Sequence, residues 1–399
     1  MKYGMITTKN LRIYVFIKTP KGVNRKATYL KLKKLLYRLK QSPKNWYQTL
    51  TAWLNSIGFL ESNCDPFGPG NDFEKEFESR FSNSSCHEPN TILGMKFERD
   101  ANKIKLSLPN HIQHGIEELG LENCKTAATP LTPNLKLSEA SDDNHARFKK
   151  LNINYRSAIG LLNHIAQLTQ PDISYAVSSL ARFLVKPGMT HWHEVKKVWQ
   201  YLKGTADLKL TLEIKEPNQL LQIFSNASWG DNPKDRTSQS GYLCFLFGSL
   251  ISWNSCKQRS ATEAELNPLV DSFHEGIWLK ALLVEIWNIQ MDAANHIIDD
   301  PNLKEQLMMT NEELQEKLSN GHSINNKGLD DKVKKFGSNP KTQHIDLKTK
   351  GLRQEVKCNN IRVKLVKTNK MVANSLTKVA SKPSILNLLH HIDPDFMIP

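Results

Sequence analysis

The sequence predicts an α+β protein assembled from consecutive segments. Strand-like runs cluster at 221–226, 241–247 and 250–253, and a long helical pattern from about Ala261 to Trp287 follows them. Apolar residues at three- and four-residue spacing mark one-sided helices earlier in the chain: Ile159, Leu162, Ile165 and Leu168; Ile173, Val177, Leu180 and Phe183; Val195, Val198, Tyr201 and Leu202. Finally, 399 residues with 39% hydrophobic and 24% charged content describe a globular chain able to bury two or three cores.

The elements follow in order. Residues 11–17 are β-rich, and a basic helical stretch covers 30–40. Pro43 sits near the start of the next helix, which runs through Trp46 and Trp53 to Gly58. Residues 65–72 read as a turn or junction, because Pro, Gly, Asn and Asp dominate them. A strand pair, Ile92 to Phe97 and Lys103 to Leu108, leads to a helix opened by Ser107 or Asn110 and ending near Gly120. A polar loop is expected over 126–150, then the three one-sided helices. Asp172 follows a proline and is expected to cap the helix it opens. The last segment begins near Gln219 with the strands and long helix above. A polar, partly helical stretch at 295–320, a strand at 361–366 and a closing helix at 371–390 complete it. These divisions set segments at 1–91, 92–218 and 219–380, with 381–399 as a C-terminal tail.

Charge is unevenly placed. The net is +14, yet residues 1–60 hold 13 Lys or Arg and no acid. Residues 327–378 hold 14 Lys or Arg against Asp330, Asp331, Asp346 and Glu355. Two basic blocks suit contact with phosphate backbones, through counterion release. The six cysteines form no CxxC pair, which argues against a disulfide framework or structural zinc. No apolar run approaches the ~18–20 residues of a membrane span, and the amino terminus lacks a secretory h-region. The expected setting is intracellular, cytoplasmic or nuclear, without membrane contact.

Three groups of motifs carry a resemblance. The first runs Leu32-Lys33-Lys34-Leu35-Leu36-Tyr37-Arg38-Leu39-Lys40-Gln41-Ser42-Pro43-Lys44-Asn45-Trp46-Tyr47. The second includes Ile92-Leu93-Gly94-Met95, Tyr155-Arg156-Ser157-Ala158-Ile159-Gly160, Gln170-Pro171-Asp172-Ile173-Ser174-Tyr175 and Tyr201-Leu202-Lys203-Gly204-Thr205. The third includes Ser238-Gln239-Ser240-Gly241-Tyr242, Ile251-Ser252-Trp253, Ala261-Thr262-Glu263-Ala264-Glu265 and Thr342-Gln343-His344-Ile345-Asp346. Together they resemble the C-terminal region of copia-type (Ty1/copia) retrotransposon Pol polyproteins. The first matches the LKKALYGLKQAPRxWY signature of the reverse transcriptase, with Arg38 in place of its glycine. The resemblance implies a partial reverse-transcriptase palm, thumb and connection, then a ribonuclease H-like mixed-sheet domain.

It also implies chemistry that the residues no longer support. The family's polymerase uses a YxDD turn, and no paired aspartates stand between Gly58 and Phe81. The family's ribonuclease H binds two Mg2+ ions through three aspartates and a glutamate. By motif position the aspartates fall on Asn226, Asn325 and Asn374, and the glutamate on Glu265, with Glu263 as the alternative. Asparagine keeps an oxygen ligand but loses the charge that hard Mg2+ requires. Hence no metal or other cofactor is expected, and Glu265 is vestigial. Asp231, Asp235, Asp330, Asp331 and Asp346 are the possible substitute carboxylates. Lys31, Lys33, Lys34, Arg38, Lys40 and Lys44 are the candidate contacts to an RNA–DNA hybrid or other nucleic acid. The expectation is therefore a catalytically inactive Pol fragment. The alternatives are a basic nucleic-acid-binding module or a weak nuclease using substitute carboxylates.

Overall fold

The computed structural model describes residues 16–18, 29–31, 42–58, 79–80, 90–214, 220–228, 237–258, 264–288, 292–309 and 343–397. The chain divides into two compact units. The first comprises 1–86 and 281–289, and the second 87–280 and 290–399.

In the first unit, strands β1 (Phe16–Lys18) and β2 (Tyr29–Lys31) pair antiparallel. Helix α1 (Ser42–Ser56) carries Pro43 in its first turn, where the missing N–H costs no hydrogen bond. Gly58 ends it at φ 90°, and its N–H reaches the Asn55 carbonyl.

The second unit begins with an antiparallel sheet ordered β3-β4-β5-β6: Thr91–Ile92, Met95–Arg99, Lys103–Ser107 and Leu210–Glu213. Leu93 and Gly94 join β3 to β4, both at positive φ (51° and 83°), the backbone a two-residue hairpin demands. Five helices lie between β5 and β6: α2 (Pro109–Glu118), α3 (Asp142–Lys149), α4 (Tyr155–Leu168), α5 (Ser174–Ala181) and α6 (Met189–Gly204).

A mixed sheet follows. Strands β7 (Leu221–Ala227), β8 (Gln239–Leu246) and β9 (Ser249–Lys257) form an antiparallel meander. Helix α7 (Leu266–Trp287) leads to β10 (Ala294–Ile298), which pairs parallel with β7. Helices α8 (Pro301–Met308) and α9 (Gln343–Lys357) precede β11 (Ile361–Leu365), parallel to β10. The order is β11-β10-β7-β8-β9, so β7 is central. Strand alternation divides the apolar side chains between two cores. Ile297 joins the large cluster with Leu243, Phe245 and the helices α2 to α6, whereas its neighbour Ile298 joins Leu269, Phe273, Leu303 and Leu352.

Several sequence expectations are revised. Helix α2 starts at Pro109 after Leu108, without the side-chain cap expected of Ser107 or Asn110. The polar loop at 126–150 contains α3, whose Ser141 hydroxyl caps Asn144 and whose first turn carries Asp142 and Asp143. The start of the 295–320 stretch is strand β10, not polar helix. The closing helix at 371–390 is instead a 3-10 segment, Val372–Leu376, followed by helix α10 (Lys382–Ile392). That helix buries Ile385, Leu388, Leu389 and Ile392 in the large core, so 381–399 is not a tail. The same core draws on residues either side of the expected boundary at 218/219. Asp172 caps nothing: it is buried in the 3-10 turn Pro171–Ile173 and accepts from Tyr201 Oη at 2.5 Å.

Cys124, Cys244, Cys256 and Cys358 are free thiols. No described helix is long and apolar enough to cross a membrane.

Candidate functional site

The site stands at the end of the central strand. Asn226 is the penultimate residue of β7 and is buried there, opposite Gly241 of β8. Gly241 is needed because the 3-10 segment Val372–Leu376 crosses directly over it. A Cβ at 241 would stand 2.7 Å from Leu376 Cβ and 3.2 Å from its carbonyl carbon. With that space left open, Asn374 reaches β7.

The two asparagines bond to each other. Asn226 Nδ2 donates to Asn374 Oδ1 at 2.8 Å and lies 3.5 Å from Thr377 Oγ1. Asn226 Oδ1 accepts from the Ala227 N–H at 2.7 Å, and Asn374 Nδ2 donates to the Thr368 carbonyl at 2.7 Å. Each amide oxygen and nitrogen thus has a partner, in an orientation fixed by this network.

Glu265 lies in the turn that precedes α7, half-buried. Its Oε2 accepts from the Ala227 N–H at 3.0 Å, so one backbone amide ties Glu265 to Asn226. Burial pushes the Glu265 carboxyl up to about 8, and the neighbouring Asp299 and Asp300 add to the rise. The Ala227 bond and Lys378 oppose it. At neutral pH the group is therefore mainly the uncharged acid.

Asp299 follows the last residue of β10, the strand beside β7. Burial raises its proton affinity, while a bond from the Thr368 side chain and the charge of Lys378 lower it. Thr368 consequently touches both Asp299 and Asn374. Sequence reasoning missed Asp299. The available signal was the pair Ile297-Ile298 running into Asp299-Asp300-Pro301, a short strand closed by a turn.

The structure therefore brings Asn226, Asn374 and Glu265 together, with Asp299 beside them. Asn325 lies outside the described residues, as do Glu263, Asp231, Asp235, Asp330 and Asp331. Asp346 belongs to α9, with its side chain outside the description. Of the basic candidates, Lys44 is exposed on α1 and Lys31 ends β2, while Lys33, Lys34, Arg38 and Lys40 lie outside the described residues.

The donor set does not suit Mg2+. Two of its members are neutral amides already bonded to each other, and Glu265 is predominantly protonated. Mg2+ takes carboxylate oxygens in near-ideal octahedral geometry. Among the described residues no group of three or more His, Cys, Asp or Glu is placed to hold a metal ion.

No family model matches the chain. The Retrovirus-related Pol polyprotein from transposon TNT 1-94 of Nicotiana tabacum is 28% identical, over 92% of this chain and 28% of its own length. The Pol polyprotein from transposon RE1 of Arabidopsis thaliana is 28% identical, over 95% of this chain and 26% of its own length. The chain thus spans about a quarter of the length of these relatives. Among solved structures, an RNase H1 in complex with an RNA/DNA hybrid aligns at a TM-score of 0.24 and 10% identity. That alignment covers 39% of this chain and 93% of the other, and at such a score it carries no argument.

Proposed function

This chain belongs to the copia-type retrotransposon Pol polyproteins, and from that premise we propose that it is a Pol fragment whose ribonuclease H-like site has lost its metal-dependent chemistry. In this reading, residues 1–91 are a reverse-transcriptase remnant and 92–218 derive from palm end, thumb and connection. The ribonuclease H-like part spans 219–380 and extends through α10.

One observation carries the proposal: Asn226 donates to Asn374 across the position where a metal-binding site needs two anions. Two ionised aspartates so placed would repel, and a divalent cation would offset that repulsion. Two asparagines satisfy each other without one. We assign Asp299, rather than Asn325, to the third ancestral carboxylate position, because Asp299 directly follows the strand next to β7 and raises the Glu265 pKa. The ancestral set is then Asn226, Glu265, Asp299 and Asn374, lacking two of four carboxylates.

The protein's own residues still do structural work at this place. Ala227 N–H fixes Glu265, Thr368 fixes Asp299 and Asn374, and Gly241 admits the segment that carries Asn374. The acid-free first 60 residues favour a second reading, a basic module that binds nucleic acid without cutting it. Divalent-dependent cleavage of an RNA–DNA hybrid tests the first reading. Salt-dependent binding of the same hybrid tests the second, since affinity that ignores salt contradicts phosphate contact.

A further inference from the structure

Helices α2 and α4 bring two imidazoles together, away from the residues of the site above. The ring centroids of His111 and His164 are 5.2 Å apart and the rings are tilted by 43°. His111 is set against the β3–β4 hairpin: a Cβ on Gly94 would stand 3.0 Å from its Cε1 and 3.6 Å from its Nε2. Its Nδ1 is buried and has no hydrogen-bond partner. A ring nitrogen withdrawn from water and left unbonded is costly, and such an atom in a folded protein calls for an explanation. His164 is exposed on α4, which keeps the pair accessible from solvent.

The spacing has a chemical meaning. An ion bound by two imidazole nitrogens at about 2.1 Å stands roughly 3.2 Å from each ring centroid, and a tetrahedral angle then separates the centroids by roughly 5.3 Å. The observed 5.2 Å is compatible with that value, and also with ordinary packing of two rings. His111 Nδ1 has no hydrogen-bond partner, and a small turn of the ring toward the solvent side that His164 occupies would let it share a cation with that imidazole.

We propose that His111 and His164 form a two-imidazole site for a divalent transition-metal ion of the zinc, nickel and copper class, with water completing the coordination. Imidazole suits these ions, whereas Mg2+ and Ca2+ select oxygen ligands. Among the described residues no third His, Cys, Asp or Glu completes the set, so Cu2+ binds more tightly than Ni2+ or Zn2+, in the usual order. Burial, together with His164 and His114, lowers the His111 pKa, which keeps its ring available as the free base. A bound ion would clamp α2 to α4.

The test uses the full chain, stripped of metal by chelator, titrated with Ni2+ and then Zn2+ by calorimetry and followed by thermal melting. The expected result is one Ni2+ bound per chain, a Tm increase reversed by chelator, and no stabilisation by Mg2+. His111→Gln and His164→Gln should each weaken that binding tenfold or more, and the double variant should be no worse than the weaker single. His164 is exposed, so His164→Gln keeps the test open if His111→Gln does not fold. Absence of Ni2+ binding in the unmodified chain, or unchanged binding in His164→Gln, overturns the proposal.

Discussion

Asn226 and Asn374 stand 148 residues apart in sequence and 2.8 Å apart in space, with the Asn226 Nδ2 donating to the Asn374 Oδ1. The bond is directional, because Asn374 Nδ2 is already committed to the Thr368 carbonyl. If Asp replaced Asn226, its carboxylate would face the Asn374 oxygen. Turning the Asn374 amide to donate would then set its oxygen against the Thr368 carbonyl. Asn226→Asp should therefore destabilise the protein by about 1–3 kcal/mol at pH 7, measured by denaturant unfolding. Asn226→Asp/Asn374→Asp should lose more in chelator and recover with millimolar Mg2+ or Mn2+, by binding linkage. A double variant indifferent to divalent ions would contradict the assignment of these positions.

Glu265 gives the site a pH dependence of defined sign. Its folded pKa of about 8 lies above the unfolded value of 4.5, so the folded state holds a proton that the unfolded state releases. Its stabilising contribution is present below about pH 4.5 and is lost as pH rises through 8. Glu265→Gln keeps an oxygen for the Ala227 N–H and removes the titration. Glu265→Gln should gain on the unmodified protein as pH rises from 5 to 8, and at pH 9 the variant should be the more stable of the two. Parallel stability profiles for the two proteins from pH 5 to 9 would exclude this account.

Gly241 has a steric role beneath the 3-10 segment. Added methyl volume meets Leu376 Cβ at 2.7 Å and backbone at 3.2 Å, so the segment has to lift from β8. Gly241→Ala should cost about 1–3 kcal/mol and lower the hydrogen-exchange protection of residues 374–377. Loss of stability with unchanged protection there would place the strain elsewhere.

Asp172 and Tyr201 form a buried pair: Oδ2 accepts the phenol hydrogen bond, and Oδ1 has no partner. Burial raises the Asp172 carboxyl to about 6 against the lowering effect of that bond. Tyr201→Phe should cost about 1–3 kcal/mol at pH 7 and less at pH 4, where Asp172 is protonated and needs the donor less. An equal cost at both values would show that lost packing, not the hydrogen bond, sets the effect.

Much of this architecture was legible because local pattern and tertiary role agree. The meander at 221–253 and the one-sided helices around Ile159, Val177 and Val198 each bury the face their spacing marks. The motif positions of Asn226, Asn374 and Glu265 could be read from residues nearby in sequence, and the fold brings these three together. Strand β10 was hidden because Asn295 and His296, its second and third residues, are polar by type although His296 is fully buried in the sheet. Only pairing on both edges makes that segment a strand. Asp299, which follows that strand, was missed with it. The closing helix expected at 371–390 ran through Pro383, whereas that proline stands in the first turn of α10 and so marks a new helix start.

The central claim is that amides at 226 and 374 have replaced the anions of a two-metal site. Its most direct test is cleavage of a labelled RNA–DNA hybrid in Mg2+ and in Mn2+ by the unmodified chain and by Asn226→Asp/Asn374→Asp. The account predicts no divalent-dependent cleavage by the unmodified chain and measurable cleavage by the double variant, which Glu265→Gln or Asp299→Asn then abolishes. Divalent-dependent cleavage by the unmodified chain that Glu265→Gln abolishes would contradict it.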